Sequence, residues 1–266
     1  MPNIVLTRPL GQSLRLGELL HRKFPMLEQI QLPLLSIVPN ENPVDAKRLK
    51  ELLLTTDLAV FVSPNAIECS MRLLQEEWPK NIPVAVVGGG SLETLSHHGI
   101  TAQHDYTIYS PSNPSEWDSE GLWKILNQSQ ASWAGKKILF LKGMGGRAWL
   151  GEQFLLQGAE IHSVLTYKRV PLADDSPAWL GLKKSIPSDS ICLMTSSEAA
   201  RHFAQFLKEN SSWAMSWLNE AMMLCTHERI TQVCTELGFK NIDQCAPGDD
   251  QLLVKIDQWY VNKIRN

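Results

Sequence analysis

The sequence predicts an α/β protein in which two parallel-sheet lobes carry an internal pseudo-repeat. Three observations lead there. Short apolar runs alternate with amphipathic stretches along all 266 residues, the pattern of buried parallel strands joined by crossover helices. Residues 4 to 67 match residues 138 to 201 at one offset of 134: IVLTRPLGQSLRLGELL falls on ILFLKGMGGRAWLGEQF, Leu32–Leu34 on Thr166–Lys168, and SPNA at Ser63–Ala66 on SEAA at Ser197–Ala200. The two segments richest in proline and turn residues, Pro33–Pro43 and Pro171–Pro177, end equivalent strands in the two halves and are candidate domain crossings.

Taken in order, Ile4–Leu6, Leu58–Val62, Val84–Val87, Ile138–Leu141, Ile191–Met194 and Met222–Cys225 read as buried strands. Each is followed by Gly, Ser, Thr or Pro and then by helical periodicity. Leu14, Leu16, Leu19 and Leu20, then Leu49, Leu52 and Leu53, fit helices with one face turned inward. Two crossings make the middle of the chain a lobe of its own. Residues 38–168 are expected to form an inserted lobe, and 1–37 with 169–266 a discontinuous one, so the lobe boundary does not follow the repeat boundary. The polar stretch Asn127–Ala134 reads as a surface loop.

Composition excludes several function classes. With 44% hydrophobic and 20% charged residues the chain can bury an ordinary core, and its length suits two domains of roughly 130 residues each. A formal net charge of −3 leaves no global basic field, which argues against a nucleic-acid binder. No apolar run approaches the roughly 18 residues of a membrane span, and the start MPNIVLTRP is unlike a signal peptide, so a cytoplasmic protein without membrane partners is expected. The five cysteines are widely spaced without a C-x-x-C pair, and the seven histidines show no metal-binding spacing, so neither disulfides nor a metal cofactor are expected.

The candidate chemistry lies in turns after strands. Ser63 is a good N-cap and Pro64 fits the first helical position, which leaves helix amides to face an anion, although capping alone also accounts for them. Gly88-Gly89-Gly90-Ser91 is a close-approach loop that matches neither G-x-G-x-x-G nor a P-loop. Lys142-Gly143-Met144-Gly145-Gly146-Arg147 sets two cations around glycines, or is a plain tight turn. Thr195-Ser196-Ser197 repeats a hydroxyl-rich helix start. All four loops follow strands and therefore sit at the carboxyl edges of sheets, where open α/β folds bind ligands.

The ordered series V-L-T-R-P, F-V-S-P-N-A-I, V-V-G-G-G-S, D-S-E-G-L at Asp118–Leu122, L-K-G-x-G-G-R-x-x-L, V-x-T-Y-K-R at Val164–Arg169 and T-S-S-E-A at Thr195–Ala199 resembles the uroporphyrinogen-III synthase family across essentially the whole chain. The resemblance implies two Rossmann-like or flavodoxin-like lobes joined by a two-strand crossover, with the active site in the cleft between them. It implies a cofactor-independent lyase of porphyrin and heme biosynthesis acting on the linear tetrapyrrole hydroxymethylbilane, with no cofactor of any kind. Family chemistry removes the ring A hydroxyl to give an azafulvene, lets ring D attack to give a spiro intermediate, and recloses the macrocycle with ring D inverted. Substrate handed over by porphobilinogen deaminase would be the one small-molecule partner. Nothing resembles an obligate interface, which favours a monomer.

Carried over by position, the resemblance places Thr7 and Arg8 beside the cleft, Ser63 and Asn65 at a helix start facing the substrate arms, and Gly88 and Ser91 at the next turn. Ser91 stands where the family usually has threonine. Ser119, Lys142, Gly143 and Arg147 would line the inserted lobe, with Ser196, Ser197 and Thr226 in the other. Tyr167 matches the family tyrosine associated with water loss and is the expected catalytic residue; a cross-lobe packing role is the alternative. The chain departs from the family at Cys225–Ile230, where relatives show a glycine and hydroxyl turn. There Thr226 is the expected replacement donor, and His227 reads as a helix-cap neighbour. A non-catalytic two-lobed anion-binding or tetrapyrrole-binding protein would share these turns, and a nucleotide enzyme would require a glycine fingerprint that is absent.

Overall fold

A computed structural model describes residues 2–145 and 148–265; Arg147, among the expected site residues, lies outside the described residues. The strands in chain order are β1 Asn3–Leu6, β2 Glu28–Gln31, β3 Leu35–Pro39, β4 Leu58–Phe61, β5 Val84–Val86, β6 Ile108–Tyr109, β7 Lys137–Gly143, β8 Glu160–Pro171, β9 Ser190–Met194, β10 Met222–Cys225 and β11 Asn241–Gln244. The chain divides into two compact units, one of Met1–Ser36 and Val170–Asn266, the other of Ile37–Arg169. Both boundaries fall inside strands, β3 and β8. The Leu172 N–H donates to the Leu34 carbonyl (2.9 Å) and the Asn40 N–H to the Thr166 carbonyl (2.8 Å), so the two crossing strands run antiparallel.

The first unit holds a sheet of order β11-β10-β9-β1-β2, and the second one of order β3-β8-β7-β4-β5-β6. In the first, β2-β1-β9-β10-β11 are parallel throughout; in the second, β8-β7-β4-β5-β6 are. The 134-residue offset lays β1 on β7, β2 on β8 and β4 on β9. Each unit therefore pairs the first two strands of one repeat with the later strands of the other; the five parallel strands of the two sheets have equivalent orders, and β3 adds a sixth strand at the edge of the second. This exchange is why the repeat boundary and the unit boundary differ. The switch points of the winding lie between β1 and β9 and between β7 and β4, the positions where doubly wound sheets bind ligands.

Both faces of the central strands are covered. In the first unit Val5, Cys192 and Met194 enter one core while Ile4, Leu6, Ile191 and Leu193 enter another; in the second, Ala59 and Phe61 face one side and Leu58 and Val60 the other. Continuous apolar runs, not alternating ones, are what such strands require. The helix Leu10–Lys23 buries Leu16 and Leu20, but Leu14 is 66% exposed. Asn127–Ala134 is not a free loop: Asn127–Ser129 complete the helix Ser119–Ser129, and Trp133 is buried edge-on against Phe154 at 4.9 Å. A tryptophan in a polar stretch marks burial that polarity averaged away. All five cysteines are buried free thiols. Among the described residues no helix is long and apolar enough to cross a membrane.

At the amino edge of the second sheet, Asp57 accepts from the Lys137 N–H (2.8 Å) and from Lys136 Nζ (2.9 Å), tying β4 to β7 across the repeat. Burial alone would raise its pKa, but these hydrogen bonds and the charges of Lys136 and Lys137 hold it below the ordinary 3.8. A depressed folded pKa contributes stability above the unfolded value, lost as the pH falls through the folded one. Asp57→Asn should thus lower stability by up to about 1 kcal/mol at neutral pH, a modest figure because the pair is half exposed. Urea unfolding should show the gap to wild type closing below the ordinary carboxylate pKa; a gap independent of pH would contradict the ion-pair assignment.

Candidate active site

In β8 the two-residue alternation breaks at one place. Val164 is buried and Leu165 is 41% exposed, but Thr166 and Tyr167 are both buried, at 0% and 4% exposure. The register gives the reason: Lys142 pairs with Leu165 and Gly143 with Tyr167, which leaves Thr166 as the extra residue of a β-bulge. Without it Tyr167 would share the outward face of Leu165. With it, Tyr167 joins Val164 in the core below β4 and β7.

The turned ring needs space, and Gly143 provides it: a Cβ there would lie 2.6 Å from two ring atoms of Tyr167. The phenol reaches Ser63, Oη to Oγ 3.1 Å. Ser63 also caps the helix Pro64–Leu74, accepting from the Ala66 N–H at 3.2 Å, with Pro64 at the first helical position. The pair holds two hydroxyl hydrogens and uses one between its own oxygens, so the second remains for another acceptor. Lys142, one residue before Gly143, lies with Phe140 on the opposite face and lines a cavity of about 250 Å³ together with Val62, Glu152 and Ser163. The structure therefore brings Ser63, Gly143 and Tyr167 together and sets the Lys142 side chain apart from them. Gly145 continues the turn at φ +75°, a left-handed conformation suited to glycine.

Beside Ser63 stands the next turn, where a Cβ on Gly90 would lie 3.7 Å from the Pro64 ring. Asn65 is the second residue of the Ser63-capped helix. Ser91 is 3% exposed, inside the helix Gly89–His97. The room at Gly88 and Gly89 is occupied by the indole of Trp117, not left open. Ser119 opens the helix Ser119–Ser129, but its cap is Asp118, which accepts from the Gly121 N–H at 2.7 Å.

In the first unit, the predicted residues cluster at the carboxyl ends of β1, β9 and β10. Thr7 is buried and its hydroxyl donates to the Leu193 carbonyl, pinning β1 to β9. The Arg8 guanidinium pairs with Asp249 at 2.8 Å, at the start of the helix Asp249–Arg265, where a carboxylate also suits the helix dipole. Ser196 caps the helix Ser197–Glu209, accepting from the Ala199 N–H at 3.3 Å. Ser197 Oγ is enclosed with no hydrogen-bond partner among the described residues. Thr226 is 8% exposed and its N–H donates to the Met194 carbonyl at 3.2 Å. His227 is itself the cap of the helix Glu228–Leu237, Nδ1 accepting from the Arg229 N–H at 3.0 Å.

Three features of the candidate site escaped the sequence reading. The Thr166 bulge has a faint signal, since VLTY cannot bury Val164, Thr166 and Tyr167 by alternation alone. Asp249 as the partner of Arg8 lies 241 positions away, and Trp117 over the glycine turn carries no motif. Among the described residues no group of three His, Cys, Asp or Glu side chains is placed to hold a metal.

Known proteins match this architecture. The family model described as uroporphyrinogen-III synthase HemD matches residues 25–249. The uroporphyrinogen-III synthase of Salmonella typhimurium is 27% identical over 262 residues, 95% of this chain and 98% of its own. Among solved structures, a mutant uroporphyrinogen III synthase from Thermus thermophilus aligns with TM-score 0.62 at 12% identity, covering 100% of this chain and 99% of its own. The uroporphyrinogen-III synthetase of Helicobacter pylori aligns with TM-score 0.60 at 15% identity, covering 96% and 100%. The structural likenesses establish the shared two-lobed α/β fold, and the family match over most of the sequence establishes membership: the chain belongs to the uroporphyrinogen-III synthase family.

Proposed function

We infer that the chain carries out the reaction of its family, a cyclising dehydration in which hydroxymethylbilane becomes uroporphyrinogen III with ring D inverted through a spiro intermediate. The observation that carries the chemical assignment is the Ser63–Tyr167 hydroxyl pair, set on Gly143 by the bulge in β8. The difficult step is loss of the ring A hydroxyl as water, which leaves an azafulvene cation. The spare O–H of the pair would donate to the departing oxygen as charge develops on it, a contribution made in the transition state more than in the ground state. Ring D then attacks the cation, the spiro intermediate fragments, and reclosure followed by proton loss gives the macrocycle; the released water balances the reaction.

Holding the acetate and propionate arms calls for neutral donors at helix starts more than for strong acids. Ser196 and Thr226 in the first unit and the Ser63 helix start in the second have that character, and we assign binding to them. Substrate would come from porphobilinogen deaminase, with the chain acting as a cytoplasmic monomer. The direct test couples that deaminase to the purified protein and measures the type III to type I porphyrin ratio after oxidation. Excess type III supports the reading. Type I alone, with tetrapyrrole still bound, would favour a non-catalytic binding protein.

Two variants probe the assignments. Tyr167→Phe keeps the ring on Gly143 and removes one O–H, so turnover should fall on the order of 10² with little change in melting temperature; unchanged turnover would make Tyr167 a packing residue. Ser197→Ala removes an enclosed hydroxyl with no partner among the described residues, so it should leave the free protein as stable or more stable with KM little changed. Kinetics and thermal unfolding check both halves; a destabilised variant with unchanged KM would show that the hydroxyl serves the fold.

A further inference from the structure

We propose that Trp117 is a substrate-binding residue, its exposed indole face forming a platform for one pyrrole ring of the tetrapyrrole; the proposal rests on the function inferred above. Of the nine tryptophans in the chain, Trp117 is the most exposed, at 37%; Trp123, Trp149, Trp213 and Trp259 are partly buried, and Trp78, Trp133, Trp179 and Trp217 are 1–5% exposed. Leaving the largest apolar side chain in water is unfavourable, and here the fold holds it in place by several independent devices.

The first is the glycine turn after β5. A Cβ on Gly88 would lie 3.2 Å from Trp117 Cβ and Cγ, and one on Gly89 would lie 2.7 Å from Cζ2, so the ring rests on bare backbone at two consecutive positions. The second is the indole N–H, which donates to the Pro111 carbonyl at 3.3 Å and so fixes the ring about its own axis. The third is the short turn Pro114–Glu116, which packs so closely on the next helix that a side chain at Gly121 would strike the Glu116 carbonyl. The ring is thus supported by backbone and oriented by its N–H, while 37% of the residue stays exposed.

The position adds the chemistry. The turn beneath the indole leads from the carboxyl end of β5 and adjoins the helix start that carries Ser63, on the edge where the hydroxyl pair lies. A pyrrole is an electron-rich five-membered ring with a size and quadrupole suited to offset stacking on indole. Neutral hydroxyls hold charged arms by hydrogen bonds but leave the ring planes ungoverned, and a fixed aromatic face supplies that orientation.

The test measures KM and kcat for hydroxymethylbilane in wild type, Trp117→Phe and Trp117→Ala, with melting temperatures for all three. Loss of a stacking contact made equally in ground and transition states should raise KM about tenfold in the Ala variant and about two- to threefold in the Phe variant, with kcat within about twofold. Unchanged KM in both variants overturns the proposal, as does a fall in kcat that tracks melting temperature while KM stays constant. If the Ala variant does not fold, Trp117→Phe decides through a second readout: product added to wild type should quench a component of tryptophan emission that this variant lacks, and identical quenching overturns it. Wild-type formation of the type III isomer separates this outcome from failure of the underlying function.

Discussion

The candidate chemistry depends on one extra residue in a strand. Thr166 has no partner in the β7–β8 register, and its insertion rotates Tyr167 from the outward face to the inward one, where Gly143 alone makes room for the ring. Three elements then meet at a single hydrogen bond: β8 supplies the phenol, β7 the bare backbone beneath it, and the helix after β4 the Ser63 hydroxyl. A β-bulge costs ladder hydrogen bonds and local regularity, and such bulges concentrate where a side chain must be re-aimed. Here the re-aimed group is the one to which the family resemblance assigns water loss.

Duplication with strand exchange accounts for the layout around it. Because β1, with β2 on its other side, pairs with β9 while β7, with β8 on its other side, pairs with β4, each unit is completed by strands from the other copy, and the equivalent hydroxyl turns fall at the switch points of both sheets. The two copies have diverged in what those turns do. In the second unit the Ser63 hydroxyl is joined to Tyr167; the position equivalent to Tyr167 in the other copy is Pro33, which has no hydroxyl to offer. The equivalent of Ser63, Ser197, is left as an enclosed hydroxyl without a partner among the described residues. One copy thus carries a coupled hydroxyl pair and the other an uncoupled hydroxyl.

Much of this was legible in the residues. The six central strands announced themselves because burial on both faces demands continuous apolar runs, and the helix caps Ser63 and Ser196 followed from residue type and position. The strands β6 and β11 stayed hidden, and β2, β3 and β8 were anticipated only as strands at the crossings, without bounds. At the edges of their sheets, EQIQ and NIDQ keep only Ile30 and Ile242 apolar, and β6 is only two residues long. Long-range partnerships were equally silent: Arg8 with Asp249, Thr7 with Leu193, and the indole of Trp117 over Gly88 depend on tertiary proximity that spacing does not encode. The resemblance set Gly143 among the residues lining the inserted lobe, and the structure adds that its missing Cβ makes room for Tyr167. A glycine reports that something comes close without saying what.

Whether Ser63 and Tyr167 act as one unit is the question on which the account turns, and a double-mutant cycle on the rate of type III isomer formation addresses it directly. Ser63→Ala, Tyr167→Phe and the double variant should be compared by kcat at saturating hydroxymethylbilane. If the two hydroxyls share one task, the double variant is about as slow as the slower single variant, because the first substitution has already disabled the pair. Losses that multiply, with the double variant slower by the product of the single effects, would mean that the two groups act independently and that the hydrogen bond between them has no part in the chemistry.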